Sequence, residues 1–436
     1  MRKSIVILSI LSITNWVNSQ TIDINFIEKS IVNLGIVNDE NENFTNYSGL
    51  DSILKNVEIV MLGEQSHGEA TTYDTKIKLI KYLHQNLGFD LLAFESGLYD
   101  CNKAWQMIKE GENTRIAMGK SIFGLWSTTI DLKPLASYLE NSRESENPLE
   151  LCGFDNQLTG KYAKEYFLED LTFYLKTVKP SIPETKEWEH FKKNIALLTT
   201  HEFKELKKNE PDIDLTFIQN LIQELSELEV NSETQFWIQT LKSTYSFLSD
   251  VVRKTDFRDK QMAENLIWIK EKYPNRKIIC WGATSHFLYN SELVRMKSPF
   301  IQILGGNYYK KQQMMGGYIK NKYNEKVFTI GFTAYQGEYG LFKKGKLKVP
   351  KEGRLEFLLG QSQCDNFLLP LKDLNLEAYY SRPIGNFYMK NDINRVMDAL
   401  VFNREMRRPR LDRNFFLKIY PENKYIKPET EENKSK

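Results

Sequence analysis

The stretch that most restricts the fold runs from Val57 to Gly97. Val57–Leu62 is a short apolar run that halts at Gly63, as a buried strand would. From Glu69 to Leu87 the apolar residues Tyr73, Ile77, Ile80, Leu83 and Leu87 recur every three to four positions, which is one face of a helix. Gly88 is placed to end that helix as the residue turning into the left-handed region. Phe89–Phe94 is a second apolar run, ending at Glu95-Ser96-Gly97. Strand, helix and strand in so short a span predict a βαβ crossover, with its two strands parallel and its connection right-handed.

Further strand candidates follow at Leu149–Phe154, Lys277–Trp281, Phe300–Leu304 and Val327–Thr333. Between Gly160 and Lys272 the chain is charged, poor in glycine and helical in period, as in Leu221–Leu228 and Met262–Ile269. The expected architecture is therefore an α/β fold with a mostly parallel central sheet, flanking helices and a large helical insertion. Residues 20–159 form the first part of its core, 160–272 the insertion or cap, and 273–421 the second part of the core. An arm of helix and loop with a polar patch at Asn38–Asn46 opens the first part, and residues 422–436 are a polar tail expected to be disordered.

Met1-Arg2-Lys3, an apolar run from Ser4 to Ile13 and Val17-Asn18-Ser19 describe a secretory signal peptide over residues 1–19. Its core is too short to cross a bilayer, which takes about 20 residues, so no stable membrane insertion is expected after cleavage. The chain is expected to be exported, to the periplasm or the medium. Export permits disulfides, but Cys101, Cys152, Cys280 and Cys364 form no CxxC pair, and two of them lie inside apolar runs, so buried thiols are expected. The 59 Lys+Arg against 57 Asp+Glu leave no cation excess with which to neutralise phosphates, which argues against a nucleic-acid partner.

No GxSxG elbow, HExxH helix, GxGxxG fingerprint or GxxxxGK[ST] loop is present. What remains is the placement of acids and histidines. His84, His190 and His201 lie on charged helical stretches, whereas His67 and His286 each follow a strand directly, in Gly63–Gly68 and Trp281–His286. Glu95 ends a third strand. In an open parallel sheet the loops beyond the carboxyl ends of the strands line the ligand crevice. Glu64, His67, Glu95 and His286 should therefore converge. A histidine whose far nitrogen is held by a carboxylate can take a proton near neutral pH. Two His and two Glu can also hold zinc, iron or manganese, although none of the four sits at i, i+4 on one helix.

Gly63–Gly68, Phe89–Glu95 and Trp281–His286 together resemble the signature blocks of the erythromycin esterase family. Trp126, Gly153-Phe154-Asp155, Phe257-Arg258-Asp259, Met262–Asn265, Met315-Gly316 and Phe328–Gly331 are similar to its secondary blocks, in the family's order over residues 50–405. The resemblance implies an α/β core with a helical portion, a deep cleft between them, and hydrolysis of a macrolide lactone by a histidine-activated water, without a metal or other cofactor. Carried over, His67 is the general base, Glu64 and Glu95 its acidic partners, and His286 the second histidine of the cleft, with Lys76 helping it to stabilise the oxyanion. Lys76, Ser66, Trp126, Asp155 and Arg258 are expected to bind substrate. The family's block Trp-x-His-Asn-x-His has Ala283 and Thr284 at its first histidine and asparagine, and Lys76 stands where an arginine is usual. The expected partner is accordingly a small-molecule ester or lactone, macrolide or other. A non-catalytic protein sequestering a macrolide, glycan or lipid, and a metal-dependent hydrolase using the same His/Glu cluster, are the alternatives.

Overall fold

The computed structural model describes residues 23–37, 44–208, 215–229, 231–295, 308–377, 379–390, 393–423 and 426. The expected signal peptide, the strand candidate Phe300–Leu304, most of the polar patch after Val37 and most of the tail lie outside the described residues.

The strands are β1 (Val32–Asn33), β2 (Ile59–Leu62), β3 (Phe89–Gly97), β4 (Glu150–Asp155), β5 (Lys277–Trp281), β6 (Val327–Tyr339), β7 (Gly345–Leu347), β8 (Asn366–Pro370), β9 (Tyr380–Ser381), β10 (Met389–Lys390) and β11 (Ala399–Met406). Nine of them form one sheet in the order β1-β8-β11-β6-β2-β5-β3-β4, with β7 folded back on β6, while β9 and β10 make a separate hairpin. The six from β11 to β4 are parallel, and β8, β1 and β7 are antiparallel additions. The mostly parallel sheet with flanking helices is thus observed, with five candidate strands found at β2, β3, β4, β5 and β6 and the predicted crossover helix formed as Ala70–Leu87. β8 and β11 carry no signal that set them apart in sequence from other short apolar runs.

Each side of the sheet buries one set of alternating side chains. Val60, Leu62, Leu92, Phe94, Ile279 and Trp281 pack with Tyr73, Ile77 and Ile80 of the crossover helix. Ile59, Met61, Leu91, Ala93, Ile278 and Cys280 pack with Met262, Leu266 and Ile269 of helix Arg258–Lys272 and with Met315 and Ile319 of helix Met315–Tyr323. Covered on both sides, the central strands are apolar throughout, as buried parallel strands must be. Each Val, Leu, Ile, Phe or Met among them stabilises the fold by roughly 1.5–3 kcal/mol when fully buried.

The crossover helix ends where Gly88 takes φ +69° and its N–H donates to the Leu83 carbonyl. From Lys161 to Lys272 the described chain is a succession of helices, Lys161–Val178, Lys186–Thr199, Phe203–Lys208, Leu215–Ser226, Ser232–Arg253 and Arg258–Lys272. Among the described residues no helix is long and apolar enough to cross a membrane, and the four cysteines are free thiols, with Cys101 and Cys280 buried.

The order β2-β5-β3 is what positions the site. β5, reached only after the long helical stretch, inserts between the two strands of the crossover. Its register aligns Trp281 with Leu62 on one side and with Phe94 on the other. The next residues along the three strands, Gly63, Gly282 and Glu95, therefore leave the sheet side by side.

Candidate active site

Beyond β2 the chain turns through Gly63–Glu69 into the crossover helix. Gly68 has to be glycine, because a Cβ there would stand 2.6 Å from the Gly340 backbone. Glu64, in this turn, is wholly buried and receives three donors. His67 Nδ1 lies 2.7 Å from Oε1, Trp126 Nε1 donates to the same oxygen at 2.9 Å, and Lys76 Nζ donates to Oε2 at 2.8 Å. Lys76 also donates to the Gly282 carbonyl at 3.3 Å and lies 4.5 Å above the Trp281 ring.

The carboxylate at Nδ1 places the proton on that nitrogen and leaves Nε2 as the acceptor, with no protein partner among the described residues. His67 is about a third exposed, its ring edge-on to Phe123 at 5.5 Å and to Trp126 at 5.1 Å. Burial works against the imidazolium, but the hydrogen bond and charge of Glu64, helped by Glu95, hold the His67 pKa above its ordinary value.

The second group gathers at the ends of β3 and β5. Glu95 accepts from the Ala283 backbone N–H at 2.8 Å and from Arg258 Nη2 at 2.9 Å, and its Oε1 lies 3.4 Å from His286 Nε2. Arg258, at the start of helix Arg258–Lys272, grips Asp155 with Nε and Nη2 at 3.1 and 2.8 Å. Such a two-point fork fixes the guanidinium plane as no lysine could. Asp259, next along the helix, holds His286 Nδ1 at 2.9 Å and accepts from the Met315 N–H at 3.0 Å. Burial would raise Glu95, yet the His286 and Arg258 charges lower it to about 2. Burial would lower His286, and the Asp259 and Glu95 charges raise it instead. Gly282 is needed here too, since a Cβ would meet the Phe287 ring at 2.8 Å and Glu95 Oε2 at 2.9 Å.

The four residues expected to carry chemistry are brought to three adjacent strand ends, as two histidine–carboxylate pairs rather than one cluster. Glu95 is therefore not a hydrogen-bonded partner of His67; it serves His286 and Arg258 and reaches His67 only through its charge. Two of the expected substrate-binding residues, Lys76 and Trp126, have no exposed surface. They stand behind Glu64, because its buried charge needs donors, and Lys76 is not placed to reach an oxyanion. Asp155 is buried as the brace of Arg258, which is itself 30% exposed. Ser66 is tied away from His67, donating to Glu69 Oε1 at 3.0 Å.

Two site members, Asp259 and Glu69, are not marked out by sequence reasoning. Asp259 stands there only within a block of the family resemblance, although an acid beside an arginine at a helix start signals a second anchored charge. Glu69 is buried and accepts from Ser66, Gln65 N–H, Thr72 and Asn386, and burial lifts its carboxyl to about 7. Among the described residues no three His, Cys, Asp or Glu side chains are arranged to hold a metal ion. A cavity of about 1180 Å³ lies beyond the crossover helix, lined by Asp74, Ile77, Tyr138, Arg407 and Arg410 among others, and none of the four chemical residues borders it.

Comparison with known proteins finds a match to the erythromycin esterase family model over residues 84–406. The chain is 29% identical over 319 residues to the "Putative hydrolase YbfO" of Bacillus subtilis (strain 168), covering 66% of this chain and 67% of that protein. It is 19% identical over 405 residues to the erythromycin esterase type II of Escherichia coli, covering 84% and 93%. Among solved structures, a mutant of the erythromycin esterase EreC in its open conformation superposes with a TM-score of 0.61 at 18% identity, covering 84% of this chain and 95% of that one.

Proposed function

The chain belongs to the erythromycin esterase family, and on that premise we propose that it is a hydrolase in which His67 activates water against an ester or lactone carbonyl. The single observation that carries this reading is the Glu64–His67 contact of 2.7 Å, which leaves Nε2 basic on a ring about a third exposed. Nε2 removes a proton from water as the oxygen attacks the carbonyl carbon, and Glu64 steadies the imidazolium that forms. The tetrahedral oxyanion is met by cationic Arg258 and His286, whose orientations are set beforehand by Asp155, Glu95 and Asp259. The intermediate collapses with cleavage of the carbonyl carbon–oxygen bond, and the leaving alkoxide takes the proton from His67. Water is consumed, and one acid and one alcohol result. In a lactone both ends stay on one molecule.

Ala283 replaces a histidine of the family block, but its backbone N–H donates to Glu95, so that position still contributes to holding the acid. Turnover tests the reading. Incubation with erythromycin and with a panel of p-nitrophenyl esters should yield a product heavier by one water or released nitrophenol. Saturable binding without product from any of them overturns it in favour of a sequestering protein. Export is proposed on the sequence of residues 1–19 alone, and is checked by finding Gln20 as the amino terminus of protein recovered outside the cytoplasm.

A further inference from the structure

We propose that the face of the β9–β10 hairpin around Arg354 is an oxyanion-binding site, taking the carboxylate or phosphate group of a small molecule. Such a site is separate from the strand-end groups and independent of the hydrolase reading.

Strand register brings the parts together. Tyr380 and Lys390 are partners across the hairpin, and Arg354 makes a parallel bridge to Tyr380. Residues paired in this way carry their side chains on one face. The distances agree. The guanidinium carbon of Arg354 lies 4.6 Å from the centre of the Tyr380 ring and 4.4 Å from that of Tyr388. Lys390 Nζ stands 5.9 Å from the Tyr380 ring, and the Arg382 guanidinium 5.2 Å from the Tyr388 ring. Attraction to the two rings holds the Arg354 guanidinium in place without neutralising it.

What this face lacks is an acid. Arg258, Arg276, Arg404 and Arg407 are each held by carboxylates. The side chains of half-buried Arg354 and exposed Lys390 have no hydrogen bond or ion pair among the described residues, and none of their nitrogens is sealed from solvent. Arg382 is buried and donates only to the carbonyls of Lys348, Ala334 and Tyr335. Glu356 is wholly buried, with Oε1 taken by the Thr333 hydroxyl and the Arg382 N–H, so it does not reach the solvent-facing donors of Arg354. Tyr388 supplies no charge either. Burial and Glu356 raise its pKa against the pull of Arg382 and Arg354, so its hydroxyl keeps the proton at neutral pH.

The unpartnered groups are therefore a guanidinium steadied by two rings and an ammonium on the same face. A planar fork of N–H donors matches two oxygens of a carboxylate or phosphate, and charge-assisted bonds of this kind are the strong ones. The hairpin is also tied to the catalytic turn. Gly385 N–H donates to the Gln65 carbonyl at 2.7 Å, and Gln65 Nε2 donates to the Arg382 carbonyl at 2.8 Å. An occupant thus sits on an element that touches the turn carrying His67.

The test follows the amide signals of Tyr380 and Tyr388 by NMR in the full chain labelled with isotopic tyrosine, each assigned by its Tyr→Phe change. Inorganic phosphate and acetate are added separately at low ionic strength, each against sodium chloride of equal ionic strength. At least one of the two anions should shift both signals saturably, with half-saturation at about 1–10 mM for so open a site. Arg354→Gln should abolish the shift. Arg354→Lys keeps the charge without the fork and should weaken binding at least about fivefold. Unchanged thermal midpoints in both variants show that the fold is kept. Saturation by acetate alone assigns the site to carboxylates, by phosphate alone to phosphates, and by both to either group. No saturation by either anion, an equal shift with chloride, or undiminished binding in Arg354→Lys overturns the site.

Discussion

Glu64 has no contact with solvent and three donors, so its role is set by what each donor contributes. His67→Ala removes a ring about a third exposed and should lower kcat by about 10²–10⁴, while the thermal midpoint measured above the folded His67 pKa stays nearly unchanged. The wild-type enzyme works through the neutral ring, and Glu64 holds the His67 pKa up. Activity should therefore climb with pH through a value above 6.5, the ordinary histidine pKa, in a kcat/KM profile. The sign for stability is opposite. A raised folded pKa contributes stability that is fully present below the unfolded value and is lost as pH rises through the folded one. Lys76→Met strands a buried carboxylate and should cost about 3–5 kcal/mol in chemical denaturation. Asp259 touches no substrate in this account and acts through His286. Asp259→Asn should lower the His286 pKa in an NMR titration and reduce kcat more than it raises KM. An unmoved titration would mean that Asp259 is only a helix brace.

At the scale of elements, the turn after β2 is held by a buried acid. Glu69 is lifted to about 7 from an ordinary 4.5, so the folded state keeps its proton where the unfolded state has released it. Stability should then fall as pH rises from about 4.5 to about 7, and Glu69→Gln should abolish that fall in midpoints measured across the range. This turn, the start of β3's loop and the Trp281–His286 block were legible in sequence because each follows an apolar run that stops abruptly at a glycine or an acid. Partnerships within them were not. Burial of Lys76 and Trp126 depends on which side of the helix and which distant loop meet over Glu64. Spacing along the chain carries no information about that meeting. The pairing of His286 with Asp259 likewise joins residues whose elements are separate in sequence and adjacent only across the packed layer.

At the scale of the whole molecule, charge is nearly balanced, and the site's cations are individually held by Glu64, Asp155 and Glu95. A duplex DNA probe should therefore show no retention in a gel shift at low salt, where a nucleic-acid binder holds best. The helical stretch ends by delivering Arg258 and Asp259 to the site, so its packing bears directly on the chemistry. The sequence alone determined that there is a βαβ unit, that histidines and acids leave the ends of parallel strands, and that the chain falls in one family. The first two follow from local periodicity and from where apolar runs break, and the third from the likeness of short blocks to those of the family. Only the tertiary structure decided that β5 enters between β2 and β3, which splits the four residues into two pairs and seats Arg258 between Asp155 and Glu95. Strand order is a choice among non-local contacts of similar apolar character, and it is the burial of both sheet faces together that selects one of them.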